Sequence, residues 1–341
     1  MSFLFRPVRQ SDLPAIHNLL QERHTGFTHV PETPQQLEDF VQTSIKSFGK
    51  KIEVPGPEIY VFVLEDCSSK EIVGISEIRA TTGHTAPLFF YKIQQLESQS
   101  KHLHIPKSIP VLQPISYIRG PSEIAALFLS QKMRGKGLGR LLSLARFLFI
   151  AQERRRVTDT LYTELRGVIH DDGTSPFWTG IGSKFYNLSF QEALQVLISE
   201  GRSIVSQFLP HYPIYIDLLP KEVQEVIGKT HVETDAARFL LTSEGFVPTG
   251  EIDVFDGGPK LSVETNKVQS IVESRILPLD EKPLQGEGKL FLIANCSLDF
   301  KATIAPIALS DKTIQLSSET KELVDLKPND KVRFTPLARK S

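Results

Sequence analysis

Cysteine is scarce in this chain. Only Cys67 and Cys296 occur among 341 residues, and they stand far apart. They form no CxxC pair and no zinc-ligand spacing, so a cysteine-ligated metal site is excluded and a reducing cytoplasm is the expected setting. Charge of one sign is also lacking. The 39 Lys and Arg against 40 Asp and Glu leave a net charge of -1, which argues against a general nucleic-acid binder. Long apolar runs are absent: "FLFIA" at 147–151 is far too short to span a bilayer. The opening "MSFLFRPVRQSDLP" lacks the apolar centre of a signal peptide. There is no internal repeat and no low-complexity segment. What remains, 40% hydrophobic and 23% charged residues, describes a globular chain with a sizeable core, at a length that favours two domains.

Periodicity supplies the coarse layout. A strand is expected at 3–8, then a helix at 11–23 with Ser11 as N-cap, and a second helix at 34–48. "EIYVFVLED" (58–66) and "EIVGISEIRA" (71–80) read as a hairpin, and the proline-bearing segment 84–121 as irregular. A strand at 122–130, a long helix at 138–156 and a strand at 158–167 follow. Residues 168–230 read as helical and irregular, either an insertion or the start of a second lobe. A helix at 234–246, closed by Gly245, and a strand at 250–258 complete the first unit. The order is that of an α/β (α+β) fold, a mixed sheet flanked by helices. From 276 to 341 short strand-like runs separated by polar turns predict a small all-β, barrel-like domain, so the boundaries are 1–260 and 276–341.

Chemistry enters at "LFLSQKMRGKGLGRLL" (127–142), where an apolar strand breaks into a basic, glycine-rich turn and a helix begins. The first turn of a helix carries unpaired N–H groups and the positive end of the dipole, so it suits an anion. Gly135, Gly137 and Gly139 let the backbone approach a phosphate, and Arg134, Lys136 and Arg140 add positive charge. Arg140 stands where a dinucleotide fingerprint has its third glycine, and no Lys-Ser/Thr pair makes a Walker loop. "GKT" at 228–230 is not one either, because Val223 occupies the place of the first Walker glycine. The fitting pattern is Arg-x-x-Gly-x-Gly over Arg134, Gly137 and Gly139, which resembles the pyrophosphate-binding turn of the GCN5-related N-acyltransferases, users of acyl-coenzyme A.

A closer resemblance rests on "RPVRQSDLPAI", "YVFVLED", "GRLLSLARFLFIAQ", "ELRGVIHDDGTSPFW", "FLPHYPIYIDLLP", "EVIGKTHVET" and "GFVPTGEIDVFDGGP" in this order. Together they resemble the arginine N-succinyltransferase family, in register from about residue 5 to 275 and more loosely beyond. The resemblance implies transfer of a succinyl group from succinyl-CoA to the α-amino group of L-arginine. It implies His231 as proton donor and Leu127 as a succinyl-CoA contact. One region departs from the family pattern: "PISYIRG" (114–120) stands where an Asn-Asp-x-Thr-Gly run is usual, so a different amine or acyl-CoA is the alternative, and a silent CoA-binding or partner subunit a second.

Acyl transfer from a thioester needs a neutral amine, a stabilised carbonyl oxygen and a protonated leaving thiolate. Backbone N–H groups from Leu127 to Leu129 are expected to meet the thioester and pantetheine, provided the strand splays from its neighbour; Leu127 can equally be a core residue. Imidazole titrates near neutrality, so His231 can donate to the thiolate or relay a proton from the amine. His211 reads as a structural contact and the His102/His104 pair as a surface loop. For a cationic acceptor Glu164, Asp253 and Asp256 are the candidate carboxylates, with Glu123 behind them; each can also be a structural carboxylate. Arg166 and Lys184 are candidates for the acyl carboxylate, and Arg154 to Arg156 for the end of the long helix. No metal, nucleic acid or membrane is expected; a homo-oligomer such as a dimer, or pairing with a related subunit, is.

Overall fold

The computed structural model describes residues 2–22, 30–31, 33–97, 108–201, 204–205 and 209–337. His102 and His104 lie outside them. The strands are β1 (Phe3–Pro7), β2 (Ile59–Asp66), β3 (Ile72–Arg79), β4 (Leu88–Glu97), β5 (Ser108–Tyr117), β6 (Ser122–Leu129), β7 (Thr160–Glu164), β8 (Ile214–Tyr215), β9 (Val247–Asp253), β10 (Pro259–Glu264), β11 (Arg275–Pro278), β12 (Lys289–Asn295), β13 (Ala302–Leu309), β14 (Ile314–Gln315) and β15 (Lys331–Pro336). The helices are α1 (Leu13–Leu20), α2 (Pro34–Gly49), α3 (Leu138–Gln152), α4 (Ser183–Tyr186), α5 (Phe190–Glu200), α6 (Lys221–Val226), α7 (Asp235–Ser243), α8 (Gln269–Val272) and α9 (Ser318–Leu323).

One sheet runs in the order β11-β15-β12-β13-β1-β2-β3-β6-β7-β10-β9-β4-β5-β8, with β14 attached to β13. Among the described strand ladders only β6 and β7 run parallel. The apolar run of β2 explains how the layers stack. Tyr60, Phe62 and Leu64 share a core with α3, while Val61 and Val63 pack with α1 and α2. All five are fully buried, as expected of a strand covered on both faces, whose sequence is then a continuous apolar run rather than an alternation. The helix α3 is buried nearly all round from Leu141 to Ile150. Phe149 joins Phe48, Tyr60, Phe62 and Phe300 in one aromatic cluster.

Several local expectations are corrected. Ser11 is not the cap of α1: Gln10–Asp12 form a 3-10 turn, and the carboxylate of Asp12 accepts from the Arg9 N–H at 2.7 Å while pairing with Arg6 at 2.8 Å. The long helix stops at Gln152, and Arg156, in the turn after it, serves a different helix: its guanidinium donates to Ser47 O and Lys50 O at the C-terminal end of α2. Within the segment read as irregular, Leu88–Glu97 and Ser108–Tyr117 pair antiparallel as β4 and β5. The strand expected at 250–258 starts earlier, at Val247, and ends at Asp253; a tight turn then leads into β10, which the sequence reading lacked. Gly245 does follow α7 with φ +97°, the left-handed stop expected there.

Within 168–230, α5 and α6 pack with β4, β5 and β9 on a core of their own that includes Tyr91, Leu112, Phe177, Ile181 and Val223, Tyr186 of α4 packs with Trp178 and Phe190 in a neighbouring cluster, and β8 pairs with β5. The C-terminal strands share another core, built on Ile293, Ile307, Val332 and Phe334, with the short helix α9 among them. Leu4 of β1 belongs to this core as well.

Candidate active site

The strand β6 is distorted at its centre. Its register against β3 slips between the pairs Glu77↔Ala125 and Ile75↔Phe128, which leaves one extra residue on β6. Ala126 sits at that bulge with φ +52°, a left-handed conformation that costs a residue with a Cβ about 1 kcal/mol or more. Pairing with β7 is confined to Ser122↔Leu161 and Glu123↔Tyr162. Beyond it the strands diverge, because β7 follows β10 along its whole length, from Glu264↔Thr160 to Lys260↔Glu164. The divergence opens a cavity of about 200 Å³. Its walls are Ile124 to Phe128 of β6, Thr163 to Arg166 at the end of β7, Arg146 of α3, and Glu233, Thr234 and residues of α7; Arg134 stands at the same cavity.

The glycine-rich turn leads to this opening. Gly135 and Gly137 both have φ +77°, and Gly137 is the N-cap of α3. A Cβ built on Gly135, Gly137 or Gly139 would meet nothing within 4 Å, so the backbone of this corner is open to an incoming group. Arg134 is half-exposed and approaches Glu233 at 3.7 Å. Arg140 turns the other way and donates to Leu337 O at 3.2 Å, against the C-terminal part of the chain. Leu127 lines the cavity, whereas Leu129 packs on the edge of the main core.

His231 stands beside the cavity through Arg166. The Arg166 Nη2 lies 2.6 Å from His231 Nδ1, and the Glu233 N–H donates to the same nitrogen at 3.2 Å. The His231 N–H is held by Arg166 O at 2.9 Å. Nδ1 therefore faces two donors and is the acceptor, which leaves the proton of a neutral ring on Nε2. Glu233 links the group: one oxygen is 2.8 Å from Arg166, the other 3.7 Å from Arg134. The turn that carries the anion site and the histidine are thus joined by one carboxylate, and Glu233 was not among the candidates read from sequence.

The candidate carboxylates separate. Glu164 lines the cavity. Asp253 and Asp256 serve the turn between β9 and β10: Asp253 Oδ1 accepts from the N–H groups of Phe255 and Asp256, and Asp256 accepts from Gly167 N–H and Gly258 N–H at 2.8 Å each. Burial pushes the Asp256 carboxyl up against the opposing pull of those two amides. Glu123 is buried near Arg79, at 3.9 Å. Lys184 is exposed on α4, away from the cavity, and His211 is exposed in a turn. Cys67 borders the C-terminal core and Cys296 is exposed.

Among the described residues no cluster of three or more His, Cys, Asp or Glu is arranged to hold a metal ion. No helix among the described residues is long and apolar enough to cross a membrane.

A bulged strand, splayed from its parallel neighbour and running into an open glycine-rich helix start, defines an acyl-CoA-dependent N-acyltransferase of the GCN5-related fold. Comparison with known proteins is more particular. The family model described as arginine N-succinyltransferase beta subunit matches residues 3–270, and that of its C-terminal domain matches 275–336. The chain belongs to the arginine N-succinyltransferase family. It is 35% identical over 336 residues to the arginine N-succinyltransferase subunit beta of Pseudomonas aeruginosa, covering 98% of each chain. It is 32% identical over 333 residues to subunit alpha of the same organism, covering 97% of this chain and 98% of the relative. The solved structure of arginine/ornithine succinyltransferase subunit AI from P. aeruginosa superimposes with a TM-score of 0.90 at 31% identity, covering 99% of each chain.

Proposed function

We propose that this protein transfers the succinyl group of succinyl-CoA to the α-amino group of L-arginine, releasing N2-succinylarginine and CoA, as a step of arginine catabolism. Family membership over the whole chain carries this reading, and the 0.90 TM-score to a subunit named for arginine and ornithine supports it. The diphosphate of the coenzyme lies at the start of α3, against the backbone of Gly135, Gly137 and Gly139 with Arg134 beside it. The pantetheine arm follows the edge of β6 past Leu127, and the thioester sits in the splay.

The amine attacks the thioester carbonyl directly. The C–N bond forms, the C–S bond breaks, and the amine loses a proton as it becomes an amide. The proton the amine gives up passes through His231 Nε2 to the leaving thiolate, one proton entering as the other leaves, so the ring begins and ends neutral. Arg166 and the Glu233 N–H hold Nδ1 so that Nε2 remains the donor. Neither cysteine is near this path, which agrees with transfer lacking a covalent enzyme intermediate. Glu164, which lines the cavity, is the carboxylate assigned here to a cationic acceptor. The relatives named alpha and beta suggest that the working enzyme pairs this chain with a copy of itself or with a related subunit.

The test is thiol release from succinyl-CoA or acetyl-CoA across a panel of amino acids and polyamines. Release with succinyl-CoA and arginine in preference to other pairs is expected. A preference for another amine, motivated by the divergent β5 segment 114–120, would reassign the acceptor. No release despite CoA binding would overturn the enzymatic reading.

A further inference from the structure

Arg146 is a cation in an unusual position. It lies in the middle of α3, is 2% exposed, and lines the cavity between β6 and β7. Its Nε donates to Ser143 O at 3.2 Å, its Nη2 to Ser143 Oγ at 3.2 Å and its Nη1 to Ala125 O at 3.3 Å. All three acceptors are uncharged. Among the described residues no carboxylate bonds to it. Glu77 is the carboxylate that acts on its charge from nearby, and one oxygen of Glu77 is committed to Arg79 at 2.6 Å. Burial accordingly pulls the Arg146 guanidinium down to about 9. A guanidinium has five N–H donors in a planar fork. Three are used here, which leaves one on each terminal nitrogen.

A buried cation without a bonded anion costs several kcal/mol unless a ligand supplies the charge. The surroundings say which ligand fits. The bond to Ala125 O fixes the guanidinium at the β6 bulge, next to the stretch that faces the thioester. The apolar part of the cavity lining, Ile124, Ala126, Phe128 and Leu165, suits a short methylene chain, while Thr163 and Glu164 line it as well. The other arginines of the cavity, Arg134 and Arg166, already face Glu233. We propose that Arg146 binds the free carboxylate at the end of the acyl chain with its two remaining terminal N–H groups, and so selects a dicarboxylic mono-acyl-CoA over neutral acyl-CoA donors. This rests on the acyltransferase reading above, and it replaces Arg166 and Lys184 as the cation that reads the acyl group.

Equilibrium binding tests it independently of the acceptor. Calorimetry with the full-length protein compares succinyl-CoA, butyryl-CoA, in which a methyl group replaces the carboxylate, and CoA itself. The wild-type protein is expected to bind succinyl-CoA about tenfold or more tightly than butyryl-CoA, the range for charge-assisted hydrogen bonds. In Arg146→Gln, whose amide can still donate to Ala125 O, that ratio is expected to fall to about twofold or less with CoA affinity retained, and Arg146→Lys is expected to restore part of it. Equal wild-type affinities for the two acyl-CoAs, or equal loss for all three ligands in Arg146→Gln, would overturn the proposal. A crystal structure of the wild-type protein with succinyl-CoA decides without any variant: the carboxylate lies within hydrogen-bond distance of Arg146, or the proposal is wrong. Failure to transfer succinate to arginine would count against the acceptor assignment and leave these binding results standing. Failure to bind any CoA derivative would remove the reading on which they rest.

Discussion

His231 and Gly137 serve different halves of the reaction, and their substitutions are expected to separate. His231→Ala removes the Nε2 donor while leaving the α3 corner intact, so kcat should fall about 100-fold or more with CoA affinity within about twofold. Gly137→Val forces a β-branched residue into φ +77°, where the left-handed conformation costs about 1–2 kcal/mol, and crowds the phosphate approach. It should weaken CoA binding about tenfold or more with a smaller change in kcat. Equal effects of both on CoA affinity, measured by calorimetry, would contradict these roles. The glycines and Arg134 were legible in the sequence because turn chemistry is local. Glu233 and Arg146 were not. Glu233 is two residues before the start of α7, an ordinary place for an acid, and its two arginine partners come from remote segments. Arg146 left one signal, a lone charge inside an otherwise apolar stretch of helix, but which side of that helix meets a cavity depends on β6 and β7 parting. The same holds in reverse for Asp253 and Asp256: their positions near strand ends say nothing about the backbone amides that take up their oxygens.

At the scale of elements, the end of β7 is shaped by contact with the turn after β9. Gly258 lies so close that a Cβ would stand 2.0 Å from Leu165 O, and one on Gly167 would stand 2.2 Å from Asp256 O. Both neighbours are backbone, which cannot rotate aside. Gly258→Ala is therefore expected to cost about 1–3 kcal/mol, seen as a lower melting temperature, and to reduce turnover because the cavity wall at Leu165 and Arg166 shifts. An unchanged melting temperature would show that this turn has slack. The "FDGGP" run makes a turn, and Gly258 brings that turn against the backbone at the end of β7. The β4–β5 hairpin was hidden by Pro110 and Pro114. Each removes an N–H, but β5 is paired over its length only with β4, and β8 adds the two pairs at Val111 and Leu112, so its outer side tolerates proline.

At the scale of the molecule, the short strand-like runs that form β12, β13, β14 and β15 were legible, but the continuity of the sheet was not. Whether a short strand run closes on itself or extends a neighbour depends on which edge is left open elsewhere. Here β13 joins β1 at Phe5↔Ala302, and Phe300 packs against Phe5, Phe62 and Phe149. The two parts are expected to unfold in a single calorimetric transition; two well-separated transitions would show that they are energetically independent.

The pairing of β1 also bears on how the chain is made. The hydroxyl of Thr303 donates to the carbonyl of Phe3 across 300 positions at 2.7 Å. A ribosome therefore releases β1 about 300 residues before the strand that becomes its outer neighbour. Throughout translation that side is uncovered, a template for wrong partners. Chains terminated before β13 should yield aggregates rather than a smaller working enzyme.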